Sequence, residues 1–226
     1  MADLNIPLKI ISKEDIAEGY LQIIFEKPQG FIYTPGNWMD IRFPVPQFPV
    51  GNTYSFASSP TESILMIAFK KGLSPFKKAL ENVKIGDTML ITQYGSNGFL
   101  LNKKYQSLFI AGGIGITPFR SMIKEAIDTN SKTPITLVYL NHTVDFPFKQ
   151  ELDLWQEDYP LLQIHYIPTQ TVGRVSKEKL QTLIPNIFDY MNYVAGPPGM
   201  VNNTKKILLE LGVQEKDIQL DSFEGY

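Results

Sequence analysis

One stretch, AGGIGITP at residues 111–118, decides the fold, because it stands between an apolar run and an amphipathic one. Glycines let the backbone turn tightly and approach a ligand where a Cβ would clash. Thr117 is placed to cap the next helix and Pro118 to be its first residue, since the first N–H of a helix has no partner within it. The stretch predicts a strand, a turn and a helix whose free N–H groups face an anion at a sheet edge. A purely structural glycine turn is the alternative.

After residue 102, segments with the hydrophobic pattern of buried strands alternate with segments that have the hydrophobic period of helices. Apolar runs typical of buried strands are separated by segments with helical spacing, which predicts right-handed βαβ units on a parallel sheet covered on both faces. We predict strands at 107–111, 135–140, 162–168, 190–195 and 218–223, and helices at 118–128, 148–156, 176–184 and 200–211. The sequence therefore predicts a doubly wound α/β domain over residues 103–226.

The segments before residue 102 are short runs of β-branched and aromatic residues between Gly and Pro turns. We predict strands at 7–12, 20–26, 39–43, 53–57, 64–70 and 88–94, with one helix at 74–82. Six short strands indicate a small antiparallel β-barrel or sandwich, and closure of a barrel would leave no exposed edge strand. We therefore expect two domains, an antiparallel β-barrel at 1–102 and then the α/β domain.

Composition excludes several classes of function. A net charge of -2 provides no basic field for nucleic acid or an anionic membrane. The absence of cysteine excludes disulfides, thiolate zinc sites and cysteine-ligated iron–sulfur clusters, and two histidines are too few for most all-histidine metal sites. The N-terminus lacks a secretory pattern, and the longest uncharged apolar stretch, 107–119, is too short to span a bilayer. We expect a cytoplasmic protein with no metal, no membrane insertion and no nucleic acid partner.

A second candidate anion site is KKGLSPF at residues 70–76. Gly72 precedes an expected N-cap, Ser74, and an expected first helical residue, Pro75, so a helix begins here with free N–H groups. Lys70 and Lys71 add positive charge beside it. A plain helix cap without a ligand is the alternative.

Two further stretches are typical of ligand-binding surface. In NTYSFASSP at 52–60, strand alternation puts Tyr54, Phe56 and Ser58 on one face and Ser55 and Ala57 on the other. GPPGM at 196–200 follows an apolar strand and opens a helix, which predicts a second loop on the binding edge of the sheet.

Together and in this order, these segments resemble the ferredoxin–NADP reductase family of flavin- and nicotinamide-dependent electron-transfer modules, over almost the whole chain. The family's Arg-x-Tyr-Ser motif corresponds to NTYS at 52–55, and its glycine turn corresponds to GSNGF at 95–99. Its Gly-Gly-x-Gly-x-Thr-Pro loop corresponds to residues 112–118, and its Cys-Gly-Pro-Pro-x-Met segment to AGPPGM at 195–200. The resemblance implies a flavin-binding barrel followed by an NAD(P)-binding domain.

The resemblance implies a flavin site, for FAD or alternatively FMN, on the first domain. Tyr54 would pack against the isoalloxazine ring and Ser55 would hydrogen-bond near flavin N5, which makes these two the expected catalytic residues. Backbone N–H groups of the 72–74 loop would hold the pyrophosphate. The implied flavin-binding set is Asn52, Thr53, Tyr54, Ser55, Lys70, Gly72, Leu73 and Ser74.

The resemblance also implies a nicotinamide site on the second domain. Its expected members are Gly112, Gly113, Gly115 and Thr117 at the pyrophosphate and Gly196, Pro197 and Met200 at the nicotinamide. His142 stands where many relatives place an arginine, and a 2′-phosphate prefers a fixed cation, so NADH is favoured over NADPH. A surface role without a ligand is the alternative for His142. Phe223 or Tyr226 would cover the flavin face, or would belong to a hydrophobic tail.

Two positions depart from the family pattern. Asn52 replaces the motif arginine, and a lost charge-assisted hydrogen bond is worth roughly 1.5–3 kcal/mol. Lys70 and Lys71 are candidates to replace its charge. Ala195 replaces the cysteine before Gly-Pro-Pro, which removes a side chain expected near the nicotinamide–flavin contact.

The implied activity is that of an NAD(P)H-dependent flavoprotein reductase. It would pass hydride from nicotinamide to FAD and electrons on to a separate acceptor, such as a redox protein, a free flavin or a quinone. One alternative is a non-catalytic or regulatory subunit that retains the fold. Another is a different Rossmann-like enzyme, such as a methyltransferase that uses the second domain alone.

Overall fold

The first half of the chain forms a six-stranded antiparallel sheet, as predicted. In the computed structural model, which describes residues 4–48 and 50–223, its order is β4-β3-β6-β1-β2-β5. The elements are β1 (Ile6–Ala17), β2 (Tyr20–Glu26), β3 (Trp38–Arg42), β4 (Asn52–Ser55), β5 (Ile64–Lys70), helix α1 (Pro75–Asn82) and β6 (Thr88–Gly95). Ser74 caps α1 as predicted, since its Oγ accepts a hydrogen bond of 3.2 Å from the Lys77 N–H.

The expected closure of the barrel is only partial. In the described part of the chain, β4 and β5 are the two edge strands, and no ladder joins them. Just beyond β4, the Ala57 N–H donates to the carbonyl of Met66 at 2.9 Å, which holds the edges together at that end. Towards Asn52 and Lys70 they line the two sides of one cavity. Full closure was therefore the wrong expectation: the barrel stays open as a wedge, and a cavity separates its two edges.

The second half forms a five-stranded parallel sheet in the order β11-β10-β7-β8-β9, which confirms the predicted doubly wound domain. The strands are β7 (Ser107–Gly112), β8 (Ile135–Asn141), β9 (Leu162–Pro168), β10 (Met191–Gly196) and β11 (Ile218–Ser222). The helices are α2 (Ile116–Asp128), α3 (Lys149–Asp158), α4 (Thr169–Val172), α5 (Lys177–Leu183) and α6 (Pro198–Glu210). Strand order reverses between β7 and β10, so a crevice is expected at their carboxyl ends.

The start of α2 differs from the prediction. Residues Gly113–Gly115 form a 3-10 turn that runs directly into α2 at Ile116, with Gly115 as the N-cap. Thr117 is therefore inside the first turn, and its hydroxyl donates to the Ile114 carbonyl at 3.1 Å instead of capping the helix. Pro118 is the third helical residue, which is tolerated because N–H groups of the first turn have no partner within the helix.

The two domains share one packed interface. On β5, Leu65 and Ile67 point into the barrel core, whereas Met66 and Ala68 pack into the core of the α/β domain. A strand buried on both faces has a continuous apolar sequence, as ILMIAFK does at 64–70. The predicted domain boundary at residue 102 lies between β6 and β7 and stays a prediction. No helix within residues 4–48 and 50–223 is long and apolar enough to cross a membrane.

A buried arginine joins the domains. Arg120 on α2 is 2% exposed, and its Nη1 donates to the Ala57 carbonyl at 2.7 Å and to the Glu62 carboxylate at 3.0 Å. On its other side, Nε and Nη2 donate to the Glu151 carboxylate of α3 at 2.7 and 2.6 Å. The planar guanidinium can bind two carboxylates and a carbonyl at once, which an ammonium group cannot do in this geometry.

A neighbouring serine strengthens the same junction. The Ser121 hydroxyl donates to the Ser58 carbonyl at 2.6 Å, and the Tyr33 hydroxyl donates to the same carbonyl at 3.0 Å. The connection between β4 and β5 is therefore held on α2 through side-chain and backbone atoms. These contacts fix the position of the barrel opening relative to the α/β domain.

We expect Arg120→Met to destabilise the protein, because it leaves the partly buried carboxylates of Glu62 and Glu151 without their guanidinium partner. Breaking a buried pair costs about 3–5 kcal/mol, and partial exposure of both carboxylates favours the lower end. Thermal unfolding should show a melting temperature lower by roughly 5–10 °C. Lys206→Met, which breaks an exposed pair with Glu210, is the control and should cost less than about 1 kcal/mol. Equal melting temperatures for the two variants would contradict the interface assigned to Arg120.

Candidate functional site

A cavity of about 700 Å³ lies between the domains at the open side of the barrel. Its walls come from β4, β5 and the start of α1 on one side, and from the glycine turn, α2 and β11 on the other. The site residues predicted from the sequence that line it are Asn52, Thr53, Tyr54, Ser55, Lys70, Ser74, Thr117 and Phe223. The cavity therefore brings together predicted residues from both domains.

The Tyr54 hydroxyl is buried at the wall of this cavity. The residue is 9% exposed and packs edge-on against Phe69, with ring centroids 6.1 Å apart. Its hydroxyl has no hydrogen bond of normal geometry among the described residues. Burial raises the pKa of Tyr54 to about 12, and the Asn52 side chain beside it acts in the opposite direction. A buried neutral donor without a partner costs about 1–3 kcal/mol, so the site fits a ligand that offers it an acceptor atom.

The N-terminus of α1 supplies the positive part of the wall. Lys70, Ser74 and Lys77 line the cavity, and Lys77 was not predicted. Lys71, a predicted candidate, instead forms a salt bridge with Asp15. Lys71 points away from the cavity because side chains of neighbouring residues in an extended segment alternate between opposite sides, and Lys70 takes the cavity side.

The other members of the 70–76 loop do not line the cavity. The Gly72 N–H, expected to hold a pyrophosphate, donates to the Glu81 carboxylate at 3.2 Å. Leu73 is 88% exposed. Their predicted roles stay predictions, and the side chains of Lys70, Ser74 and Lys77 are the cavity-lining groups from this loop and the first turn of α1.

The glycines of the two α/β loops serve close packing. A Cβ on Gly115 would lie 2.2 Å from the Ala195 carbonyl oxygen, and one on Gly196 would lie 3.1 Å from the Gly112 backbone. A Cβ on Gly112 would lie 3.2 Å from Pro197. The loops at 112–115 and 196–200 therefore meet backbone to backbone at the switch point of the sheet.

Most of the predicted nicotinamide-binding residues do not line the cavity. Thr117 of this set lines the cavity from the first turn of α2, and Ile114 of the glycine turn, which was not predicted, lines it as well. The predicted members that do not line it are Gly112, Gly113, Gly115, Gly196, Pro197 and Met200. His142 is exposed just after β8 and does not line it either. Their binding roles stay predictions.

The C-terminal strand closes one side of the cavity. Phe223 lines it, packs against the α/β core and donates its N–H to the Gly196 carbonyl at 3.0 Å. Tyr226, the other aromatic candidate, lies outside the described residues.

Asp221 is a site residue that sequence reasoning missed. It lies on β11 opposite Ala195 of β10 and lines the cavity. Burial raises the pKa of its carboxyl to about 6. The available signal was its position at the carboxyl end of a predicted parallel strand, where ligands bind. The other lining residues that were not predicted are Trp38, Ala68, Phe69, Lys77, Asn97, Ile114 and Ser222.

We expect Asp221→Asn to gain stability relative to the parent as pH rises from about 4 to 6. The folded state binds the Asp221 proton more tightly than the unfolded state, because burial raises the pKa of this carboxyl from 3.8 to about 6. The parent protein therefore loses stability as the pH rises between these two values, whereas the Asn variant does not. Melting temperatures of both proteins across this range should therefore diverge and then stay apart above pH 6. Asp189→Asn, at an exposed position outside the cavity, is the control. A difference in melting temperature that stays constant from pH 4 to 6 would contradict this, because it would mean that the Asp221 carboxyl has the same pKa in the folded and the unfolded state.

Comparison with known proteins gives consistent matches. The oxidoreductase NAD-binding domain model matches residues 109–206. NADH-cytochrome b5 reductase 1 of Dictyostelium discoideum is 31% identical over 198 residues, which cover 81% of this chain and 68% of that protein. Flavohemoprotein A of the same organism is 26% identical over 242 residues, 95% of this chain. The chain spans only 58% of flavohemoprotein A and 52% of flavohemoprotein B.

Solved structures share the fold. Ferredoxin-NADP+ reductase from Plasmodium falciparum matches with a TM-score of 0.84 at 21% identity, over 97% of this chain and 96% of that one. The FAD/NAD-binding domain of a nitric oxide dioxygenase from Vibrio cholerae matches with a TM-score of 0.83 at 20% identity, over 98% and 99%. Because an antiparallel barrel open at one edge and a doubly wound sheet meet at one cavity, and because the identity to NADH-cytochrome b5 reductase 1 extends over most of both proteins, the chain belongs to the ferredoxin–NADP reductase family.

Proposed function

We propose that the chain is a flavin-dependent NAD(P)H oxidoreductase that binds FAD in the barrel opening and passes electrons to a separate acceptor. The observation that carries the proposal is the cavity itself. It begins where β4 and β5 separate, and it ends at the carboxyl edge of the parallel sheet, where dinucleotides bind in open α/β sheets. Relatives named as NADH-cytochrome b5 reductases and as a coenzyme Q6 reductase support the same class of reaction.

The residues on each wall of the cavity have distinct proposed roles. Tyr54 and Ser55 border the ring-binding part of the site, and the buried Tyr54 hydroxyl offers one donor. Lys70 lies at the phosphate end. Thr117 and Phe223 face these residues from the α/β domain, where reduced nicotinamide would enter. Flavin, when bound, supplies the hydride acceptor, while the protein orients both rings and excludes water.

We expect the purified protein to take up FAD or FMN and become yellow, with a visible absorbance band that bleaches anaerobically on addition of NADH or NADPH. Release of the bound flavin and mass measurement identify which flavin it is. A colourless protein that takes up neither flavin would contradict the proposal and favour a non-catalytic subunit, which the replacements at Asn52 and Ala195 would then explain.

We expect Tyr54→Ala to weaken flavin binding by roughly tenfold, because it removes both ring contact and the buried hydroxyl. Ser55→Ala should slow reduction by NADH with a smaller effect on binding. Flavin fluorescence titration and anaerobic stopped-flow reduction measure the two effects. Tyr105→Ala, at an exposed residue outside the cavity, is the matched control. Unchanged binding and reduction in both site variants would show that the ring lies elsewhere.

We propose NADH as the preferred nicotinamide. His142 is exposed beyond β8, at the position where many relatives carry an arginine. We expect kcat/KM to be higher with NADH than with NADPH, and His142→Arg to move the ratio towards NADPH by roughly tenfold through a charge-assisted bond to the 2′-phosphate. Asn203→Arg, which adds the same charge on the exposed face of α6, should leave the ratio unchanged. A wild-type preference for NADPH would contradict this assignment.

A further inference from the structure

We propose that Lys70 and Lys77, together with the N-terminus of α1, bind the phosphate of the flavin nucleotide in place of the motif arginine that Asn52 replaces. This inference rests on the proposed flavin-binding function. It assigns a role to Lys77 and excludes Lys71 from the site. The ligand chemistry recognised is the flavin phosphate that FMN and FAD have in common.

The two lysines converge on one end of the cavity. Lys70 ends β5, and Lys77 is the third residue of α1. Both line the cavity together with Asn52. A Cβ on Gly72 would lie 3.1 Å from Cδ and 3.8 Å from Nζ of Lys77, so the Lys77 side chain folds back across Gly72 towards the helix N-terminus. The ammonium group therefore adds to the positive end of the helix dipole.

The charges around this end of the cavity favour an anion. Burial, and then the like charge of Lys70, lower the pKa of Lys77, while Glu81 acts in the opposite direction. Two ammonium groups that repel each other are stabilised when an anion lies between them. The Glu81 carboxylate, which accepts the Gly72 N–H at 3.2 Å, offsets part of this charge from the outer side of the loop.

Three other cations near the barrel opening do not line the cavity. Lys71 pairs with Asp15, Arg42 donates to the Asn5 side chain at 2.7 Å, and Arg120 is held in the domain interface. Among the described residues that line the cavity, the cationic side chains are Lys70 and Lys77. These two are therefore the groups placed to neutralise a phosphate inside it.

A second observation points to a ligand in the same cavity. The Tyr54 hydroxyl is buried in the cavity wall next to Asn52, and no described residue accepts a hydrogen bond from it. A flavin nucleotide offers acceptor oxygens along its ribityl chain and phosphate. A ligand that satisfies this hydroxyl and the two lysines therefore has an acceptor-rich chain that ends in an anion.

The test compares three flavins that differ only beyond the ribityl chain. Affinities of the apoprotein for riboflavin, FMN and FAD are measured by fluorescence titration for the wild type and for Lys70→Met/Lys77→Met. We expect the double variant to lose roughly ten- to a hundredfold in affinity for the phosphorylated flavins and to bind riboflavin as the wild type does. Lys78→Met, one position further along α1 and outside the cavity, is the matched control.

A rescue experiment separates charge from structure. Asn52→Arg in the double variant places the family's cation back at the motif position and should restore much of the lost affinity for FMN and FAD. Circular dichroism checks that α1 is retained, since methionine is as good a helix former as lysine. If the double variant loses affinity for FMN and FAD by similar factors and Asn52→Arg restores it, the result supports assigning the two lysines to the phosphate that both flavins contain.

Three results would overturn the inference. The double variant could bind FMN and FAD as tightly as the wild type, it could lose affinity for riboflavin equally, or it could lose affinity for FAD alone, which would place the lysines at the adenylate phosphate. In each case the wild type still binds flavin, so the proposed function stands. A wild type that binds none of the three flavins overturns the proposed function as well.

Discussion

The structure depends on one buried guanidinium between two domains. Arg120 binds the carbonyl of Ala57 and the carboxylate of Glu62 on the barrel, and it binds Glu151 within its own domain. Thr117 lies one turn earlier on the same helix and faces the cavity. Because residues three apart share a helix face, the helix that holds the domains together also sets one wall of the cavity.

The partial closure of the barrel gives the site its location. An edge strand ordinarily presents unpaired backbone groups that invite association with other chains. Here the two edges are joined at Ala57 and Met66 and diverge towards Asn52 and Lys70, and the α/β domain stands across the gap. The opening is thereby protected from strand pairing while it remains accessible to a ligand.

The glycine-rich loops illustrate how one residue type serves two purposes. Their sequence pattern predicts an anion-binding turn, and the structure places them at the switch point where such turns occur. Yet Gly115 and Gly196 are required by backbone contacts between the loops, independently of any ligand. The wall that they build reaches the cavity through Ile114 and Thr117. Close packing of the loops and ligand binding are therefore compatible demands on the same residues.

Local pattern determined the secondary structure, the two-domain order and the β4 segment of the site, because strand and helix periods and cap residues act over a few neighbours. Strands β2, β5 and β9 have the predicted bounds, and Ser74 caps α1. Tertiary structure decided which cations face the cavity and how far the barrel closes. It also decided that Arg120 joins the two domains and that Asp221 lines the cavity. These depend on contacts between residues distant in sequence, and a side chain's burial and charge partners exist only after the domains have packed.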